Sequence, residues 1–415
     1  MSMSGEARPD WLTYDEAVVA IRSQIRPLDP ELCAIDEALG RAAGEIVYSR
    51  VDHPPWNGSA MDGFAVRATE VDGASSETPI EMIVSDDIPA GAFPRGPLEP
   101  GTIARVMTGA PVPSGATGVI RVEHTLPAAD GRIQILDASD AARNIRPMGE
   151  DVRVGDEVIA AGAELTPAAI GILALTGHRE VRVLKRPVIA VLSTGDELAD
   201  LDEIDLAVAG ERVMNSNSHA VAAQIRSAGA EPRILQIARD RPADIRRRFE
   251  EGLECDAIIS TGGVSVGDRD FVKAVLDEMG VEQVFWRAKV RPGSPIYAGT
   301  LRGKPFWGLP GNPVSAMVTF EIFLRDAIRA MAGHAFSNRW INVTVGEELG
   351  VDSPLTHFLR IRLGPALTGP PVAFLTGSQS SGVLSSMNLA DGLLMVRPNE
   401  GGLGKGDLAS VLPLR

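Results

Sequence analysis

The stretch that decides the fold of this chain reads Ser260-Thr-Gly-Gly-Val-Ser-Val-Gly-Asp-Arg-Asp270. It follows the apolar run Ala257-Ile-Ile259, which is typical of a buried parallel strand, and precedes apolar residues at helical spacing over 271–279. A glycine turn between a strand and a helix can direct free backbone N–H groups at an anion. Asp268 and Asp270 could bind a divalent metal that bridges to a phosphate. A tight turn with a capping aspartate fits as well, so this stretch alone leaves both interpretations open.

Composition limits the classes of partner. The chain has 415 residues, enough for about two to four domains, and a formal net charge of −15. This charge argues against nucleic acid or an anionic membrane as a partner, so any anionic ligand must be held by local donors. Cys33 and Cys255 are far apart in sequence and indicate neither a disulfide framework nor a thiolate zinc site. With no signal-like segment and no run of membrane-spanning length, we expect a cytoplasmic protein.

The pattern of apolar residues changes several times along the chain. Residues 65–146 carry short apolar runs separated by Gly, Pro, Asp and Ser, which predicts a small barrel or sandwich. The mixed pattern before this segment returns after it, with a helix predicted at 167–175, and suggests one domain that is split by a β insertion. Strands and helices alternate after residue 185, and the chain is β-rich again from 338 to 415.

The alternating segment predicts a doubly wound sheet, in which the carboxyl ends of the strands form the ligand crevice. Three polar glycine turns, at 193–197, 260–270 and 309–315, each follow an apolar strand and should therefore share one face. This convergence favours a binding site over three unrelated turns. The predicted strands are 188–192, 233–238, 257–260, 284–287 and 296–298, and the predicted helices are 219–228, 243–253, 271–279 and 316–332.

Further polar clusters lie outside the alternating segment. Asn57 and Asp62 share a loop rich in Pro and Gly, Thr108 follows a predicted strand, and residues 144–151 contain several charged groups. Asn and Asp commonly bond their own backbone in turns, so each cluster alone favours turn chemistry. The polar turn at 376–384 either reaches the crevice or forms a mobile loop.

Six motifs occur in order along the chain: Asn57-Gly-Ser-Ala-Met-Asp-Gly-Phe-Ala65, Met107-Thr-Gly-Ala-Pro111, Gly149-Glu-Asp151, Ser193-Thr-Gly-Asp-Glu197, the opening stretch 260–270, and Leu309-Pro-Gly-Asn-Pro-Val-Ser315. Together they resemble the molybdopterin molybdenumtransferases, the MoeA family, which is also represented by the E domain of gephyrin. The resemblance covers nearly the whole chain, and six ordered motifs make coincidence implausible.

The resemblance implies a multidomain fold of α/β and β type. It consists of a central doubly wound α/β domain that binds molybdopterin, an inserted β domain, a C-terminal β-barrel-like domain and a split N-terminal domain. We expect these domains at 10–48 with 147–184 (split), 49–146 (inserted), 185–334 (α/β) and 335–415 (C-terminal). The resemblance also implies an elongated homodimer, with the site between the α/β domain of one subunit and the inserted domain of the other. Molybdopterin adenylyltransferase and molybdoenzymes or their chaperones are further expected partners.

The implied reaction inserts molybdate into adenylylated molybdopterin, which is hydrolysed with release of AMP, and it requires Mg2+. Matched motif by motif, Glu197, Asp240 and Asp270 would act at the metal and the phosphate, while Asp62 and Asp151 would be catalytic groups from the partner subunit. The residues expected to bind the pterin, the phosphates or the oxyanion are Thr108, Arg146, Ser193, Gly195, Gly262, Gly263, Ser265, Arg291, Pro310, Pro313 and Ser381.

Three departures from the family pattern concern cations. The chain has Arg291-Pro-Gly-Ser-Pro295 where the family usually has Lys-Pro-Gly-Lys-Pro, and Leu355 or Thr356 where an arginine precedes the Phe-x-Arg motif. The arginine-rich run before Gly149 is thinned to Arg146-Pro-Met. Because a buried oxyanion needs local cations, these changes predict weakened molybdate binding, or a paralogue that serves as a pterin-binding scaffold or carrier. Adenylylation of molybdopterin itself is a weaker alternative, since it leaves the further domains unexplained.

Overall fold

The computed structural model describes residues 11–263, 271–336, 339–351, 353–365, 369–398 and 401–414. The chain forms two compact units. Unit 1 comprises Met1–Glu31, Gly40–Gly44 and Val183–Arg415, and unit 2 comprises Leu32–Leu39 and Glu45–Arg182. Within the described ranges, no helix combines the length and the apolarity needed to cross a bilayer.

Short strands dominate the secondary structure. The helices are α1 Tyr14–Gln24, α2 Ala68–Val71, α3 Pro167–Leu175, α4 Ile204–Val208, α5 Ser216–Ser227, α6 Pro242–Gly252, α7 Phe271–Glu278, α8 Pro313–Thr319, α9 Arg325–Met331 and α10 Leu384–Asn388. The strands are β1 Pro30–Ala34, β2 Val47–Tyr48, β3 Gly58–Ser59, β4 Gly63–Val66, β5 Ile80–Ile88, β6 Thr102–Val106, β7 Gly118–Arg121, β8 Thr125–Pro127, β9 Arg132–Ile135, β10 Ile145–Arg146, β11 Glu157–Ile159, β12 Glu180–Leu184, β13 Val188–Ser193, β14 Leu198–Ala199, β15 Val213–Met214, β16 Glu231–Ile234, β17 Ala257–Thr261, β18 Glu282–Phe285, β19 Val290–Arg291, β20 Tyr297–Leu301, β21 Lys304–Leu309, β22 Ile341–Val345, β23 Thr356–Gly364, β24 Val372–Leu375, β25 Gly392–Val396 and β26 Leu408–Pro413.

Unit 2 is built on a six-stranded sheet in the order β7-β4-β6-β5-β9-β8. Strands β5 and β6 run parallel, and the other neighbours are antiparallel. Alternate residues of β4 enter different apolar clusters, Phe64 and Val66 one and Ala65 the other, as the period of a strand requires. The predicted β insertion is confirmed. Helix α3 begins as predicted, because Thr166 caps it by accepting from the N–H of Ala169 at 3.2 Å.

Unit 1 contains the alternating α/β segment. Its six-stranded sheet has the order β16-β13-β17-β21-β20-β18, in which the first four strands are parallel. One face carries Val191, Ile259 and Trp307 beneath α1, α5 and α8, and the other packs on α6 and α7. Burial on both faces explains why these strands read as continuous apolar runs. The predicted doubly wound architecture is confirmed, with an antiparallel edge formed by β20 and β18.

The C-terminal part of unit 1 forms a closed five-stranded barrel in the order β23-β24-β22-β26-β25, because β25 also pairs with β23. Strand β19 pairs with β23 in the parallel direction, beside the barrel strands. Apolar residues such as Val343, Ile361, Leu394 and Val411 fill the barrel. The predicted β-barrel-like domain is therefore confirmed.

The helix predicted at 316–332 is interrupted in its middle. A π turn at Phe320–Leu324 separates α8 from α9. The amide Nε2 of Gln224 on α5 donates to the carbonyl of Met317 at 3.1 Å and to the Glu321 carboxylate at 2.8 Å. An inserted side chain of this kind is a recognised cause of local helix distortion. The strand predicted at 233–238 is also shorter and begins earlier, since β16 spans Glu231–Ile234.

Candidate active site

The carboxyl ends of three parallel strands bring the predicted glycine turns together in unit 1. Strands β13, β17 and β21 are neighbours in the sheet, and the turns follow them. The backbone N–H of Thr194 donates to the carbonyl of Thr261 at 3.2 Å, and that of Gly262 donates to the carbonyl of Leu309 at 3.1 Å. The described parts of the three turns, 193–197, 260–263 and 309–315, therefore share one edge of the sheet. We call the site that they border the crevice.

Gly262 and Gly263 form the described start of the central turn. Both have positive φ, +82° and +68°, a region that strongly favours glycine. A Cβ on Gly263 would lie 2.2 Å from Cγ2 of Val272 on α7. The backbone thus passes tightly against α7, with no room for a side chain at Gly263. The predicted site residues Ser265 and Asp270, together with Asp268, lie outside the described residues.

A buried hydroxyl network supports the turns from below. The Ser193 hydroxyl lies 2.7 Å from Oγ1 of Thr261, 2.8 Å from Oγ of Ser218 and 2.9 Å from Oδ1 of Asn215. Nearby, the amide of Asn217 donates to the carbonyl of Gly311 at 2.7 Å. The start of α5 therefore contacts the end of β13 and the turn after β21, and Ser193 links it to the end of β17. Ser193 is completely buried, so its contribution is to fix the position of the turns.

Acidic side chains border the crevice beside β13. The N–H of Asp196 donates to Oδ2 of Asp240, and the N–H of Asp240 donates to Oδ1 of Asp196, both at 3.3 Å. The Glu197 side chain folds back over Gly195. A Cβ added to Gly195 would lie 2.4 Å from Oε2 of Glu197. The Arg239 guanidinium donates to the carbonyl of Leu198 at 2.8 Å and holds this acidic loop in place. Arg239 was not predicted, although it immediately precedes Asp240.

The acidic loops fit a metal that is shared with a bound phosphate. Among the residues that the structure describes, no three His, Cys, Asp or Glu side chains are grouped to hold a metal ion alone. Mg2+ commonly takes only one or two carboxylates and completes its shell with phosphate oxygens and water. Asp240 and Glu197, on adjoining loops, match that small donor set.

A cleft of about 930 Å³ lies beside the crevice in unit 1. Three predicted site residues, Arg291, Pro310 and Ser381, line it. The amide of Asn312 donates to the hydroxyl of Ser381 at 3.2 Å, so the 309–315 turn joins the cleft to the crevice. Pro313 starts α8 and is not among the residues that line the cleft.

The positions of two departures from the family pattern also line this cleft. Ser294 donates its hydroxyl to the carbonyl of Val290 at 2.6 Å, and Leu355 contributes an apolar side chain. The two positions where the resemblance leads us to expect cations thus lie at the wall of the cleft.

Two further residues of the cleft, Arg360 and His357, were not predicted as site residues. Arg360 is completely buried, and its Nη2 donates to the carbonyls of Ser378 and Ser380 at 3.0 and 3.2 Å. Its Nε and Nη1 have no hydrogen-bond partner within the described ranges. Burial lowers the pKa of the Arg360 guanidinium. A buried guanidinium with spare donors facing a cleft is well suited to an anion.

In unit 2, the predicted residues lie on loops that meet around residues 57–62. Oδ1 of Asp62 accepts from the N–H and the hydroxyl of Thr108 at 2.8 and 2.7 Å. Arg146 on β10 pairs with Gly58 on β3, and its Nε lies 2.9 Å from the Glu150 carboxylate. Asp151 is exposed on the same loop as Glu150. The three sequence clusters that separately looked like turns are therefore close neighbours.

We expect that Thr108→Val raises the pKa of Asp62. Hydrogen bonds from the Thr108 backbone and hydroxyl hold that pKa below its usual value, and valine removes the hydroxyl. The carboxylate would then be fully ionised only at higher pH, so protonation on acidification begins earlier in the variant. Carbon-detected NMR titration measures the shift. Asp137, whose pKa is lowered by Ser139, is the internal control and should not move. An unchanged Asp62 titration would contradict the prediction.

Comparisons with known proteins cover each part of this fold. Three family models match the chain: MoeA N-terminal region (domain I and II) over 12–177, probable molybdopterin binding domain over 190–330, and MoeA C-terminal region (domain IV) over 342–414. Two solved structures of the molybdopterin biosynthesis MoeA protein from Pyrococcus horikoshii align with TM-scores of 0.82 at 26% and 25% identity. They cover 98% and 97% of this chain and 99% of each of those chains.

Curated relatives agree with these matches. A molybdopterin molybdenumtransferase from Nostoc sp. is 36% identical over 311 residues, which is 74% of this chain and 70% of that protein. One from Staphylococcus aureus is 30% identical over 400 residues, 96% of this chain and 94% of that protein. Fold and relatives thus define an enzyme of molybdenum cofactor biosynthesis with a molybdopterin-binding domain. The chain belongs to the molybdopterin molybdenumtransferase family.

Proposed function

We propose that this chain inserts molybdate into adenylylated molybdopterin with release of AMP, and that it requires Mg2+. The observation that carries the proposal is the 309–315 turn, which borders both the crevice and the cleft. The carbonyl of Leu309 accepts from Gly262 in the crevice, while Pro310 and Asn312 line the cleft. A phosphate in the crevice and an oxyanion in the cleft would then be held side by side, which is the proximity that the reaction needs.

In this proposal the crevice binds the phosphates. The backbone N–H of Gly263 and the hydroxyl of Ser265 would hold them. Gly195 and Gly262, whose own N–H groups donate to the carbonyls of Ala238 and Leu309, would let the phosphates approach the turns closely, and Ser193 would fix the position of the turns. Glu197, Asp240 and Asp270 would hold Mg2+, which when bound offsets the charge that builds on the leaving phosphate. The contact of Arg239 with the acidic loop would keep these carboxylates in place while water cleaves the bond that releases AMP.

The cleft would receive molybdate as the second substrate. Arg291 would supply charge, Ser381 a hydroxyl donor, and Pro310 the shape of the wall, with Pro313 setting the start of α8 behind it. Arg360 lies buried at the same wall with spare N–H donors in the described structure. These donors would offset the charge of a dianion that the protein as a whole repels.

The proposal extends to the assembly. We infer a cytoplasmic homodimer in which Asp62, Thr108, Arg146 and Asp151 of one subunit complete the crevice of the other. The close grouping of these residues on neighbouring loops of unit 2 supports a joint role. We also propose the four-domain division at 10–48 with 147–184, 49–146, 185–334 and 335–415, and molybdopterin adenylyltransferase and molybdoenzymes or their chaperones as partners.

A second candidate is a pterin-binding scaffold or carrier with a weakened oxyanion site. It is favoured by Ser294 and Leu355, which line the cleft where the family pattern has cations. The assay that separates the two is AMP release from adenylylated molybdopterin, with and without molybdate and Mg2+. Release that needs both supports the transferase, and silence under all conditions leaves the scaffold.

We expect that Arg291→Ala weakens molybdate binding about tenfold or more, because it removes a cation from the cleft wall. Equilibrium dialysis with purified protein measures the affinity. Arg186→Ala, which removes an exposed arginine from the same unit, is the matched control and should bind as the wild type does. Equal affinity in the two variants would place the oxyanion elsewhere.

A further inference from the structure

His357 stands directly beside Arg291 in the cleft. Strands β19 and β23 run parallel, and their register pairs Arg291 with His357. Neighbours across a strand pair point to the same face, so the two side chains are adjacent, and both line the cleft. On its other side, His357 pairs with Val396 of β25, which carries no charge.

The imidazole has an unused hydrogen-bonding atom. Nε2 of His357 is buried and has no partner among the residues that the structure describes. Burial first, and then the positive charge of Arg291, lower the pKa of His357 below its ordinary value. The other described charged groups that line the cleft are Arg360 and the exposed Glu348. Without a ligand, the ring is therefore mostly neutral at pH 7.

We propose that His357 is a proton-linked ligand of the oxyanion: it is neutral in the free protein and takes up a proton when a tetrahedral dianion enters the cleft. This inference rests on the proposed function, which places the oxyanion in the same cleft. It gives the chain a titratable cation in a wall where Ser294 and Leu355 supply none. Affinity for dianions then depends on pH in a way that fixed cations would not produce.

The sign of the pH dependence follows from which state binds the proton more tightly. A dianion beside Arg291 cancels the charge that disfavours imidazolium, so binding raises the pKa of His357 from its lowered starting value. Between the two pKa values the complex holds a proton that the free protein lacks. Affinity is therefore greatest at acidic pH and falls by up to about tenfold per pH unit as pH rises through this window.

Calorimetric titration of the full chain with molybdate and with sulfate tests the inference. The range is about pH 5.5 to 8, with two buffers of different ionisation enthalpy at each pH. Sulfate serves because its own protonation lies far below this range. For wild type we expect uptake of up to one proton per oxyanion and an affinity that falls with pH. In His357→Gln, we expect both effects to disappear, whereas the matched variant His219→Gln should keep them.

Each outcome decides between distinct claims. Saturable binding without proton uptake and without pH dependence in wild type would overturn the role of His357 while leaving the proposed function intact. Absence of both oxyanion binding and molybdate-dependent AMP release would instead overturn the proposed function. If His357→Gln does not fold, NMR titration of ring-labelled wild type gives the same answer. The His357 resonance must shift its pKa upward on adding molybdate, and an unchanged pKa refutes the proposal.

Discussion

Asp240→Asn is expected to lower molybdate-dependent AMP release by roughly a hundredfold while leaving the fold intact. Asparagine keeps the size of the side chain and an oxygen that can accept from the N–H of Asp196. It removes the negative charge that the proposed function assigns to Mg2+. The loss should therefore be in catalysis and in the Mg2+ concentration needed for half-maximal rate. Measuring AMP release across a Mg2+ titration reports both quantities.

The matched control for this prediction is Asp202→Asn, which removes an exposed carboxylate from the same unit without touching the crevice loops. It should release AMP at the wild-type rate and with the wild-type Mg2+ requirement. If Asp240→Asn lowered the rate with no change in the Mg2+ requirement, a positioning role through the paired contacts with Asp196 would replace the metal role. An Asp240→Asn variant with wild-type activity would exclude both.

The architecture of the chain was predictable where local pattern and topology agree. Apolar runs followed by glycine turns predicted β13, β17 and the shared edge of the crevice, because parallel strands place their carboxyl ends together. The π turn at Phe320–Leu324 was not predictable, because Gln224, which bonds to Met317 beside it, lies about ninety positions away in sequence. Strand β26 lies between β22 and β25 in the barrel, and this pairing has no local signature.

The residues of the candidate site were likewise predictable only in part. Motif matching identified Arg291 and Ser381, which the structure places in one cleft. Arg360 was noted as the arginine of the Phe-x-Arg motif but was not predicted as a site residue. Strand alternation puts it on the same face as Arg362, and two arginines at that spacing are typical of a solvated face. In the structure Arg362 is exposed while Arg360 is covered by the loop around Gln379, whose Oε1 accepts from the Arg360 N–H at 2.9 Å. A covering loop that arrives from later in the chain cannot be predicted from the strand itself.

Arg360→Met is expected to abolish most oxyanion binding, about tenfold or more in affinity, with only a small change in the free energy of unfolding. Two opposing effects act on stability. The carbonyls of Ser378 and Ser380 lose their donor, which costs about 1–3 kcal/mol. The variant also no longer buries a guanidinium that makes no salt bridge within the described part of the chain. An apolar replacement of a buried charge is often neutral or stabilising, so the two effects offset each other.

Urea unfolding with and without sulfate or molybdate separates these contributions. Wild type should gain stability as oxyanion is added, because a ligand that binds only the folded state stabilises it. Arg360→Met should gain little, whereas the matched variant Arg362→Met, changed at an exposed position of the same strand, should gain as much as wild type. A strongly destabilised Arg360→Met that still gained stability with oxyanion would show that the guanidinium only fastens the loop at 378–380. Arg291 and His357 would then be left to neutralise the bound dianion alone.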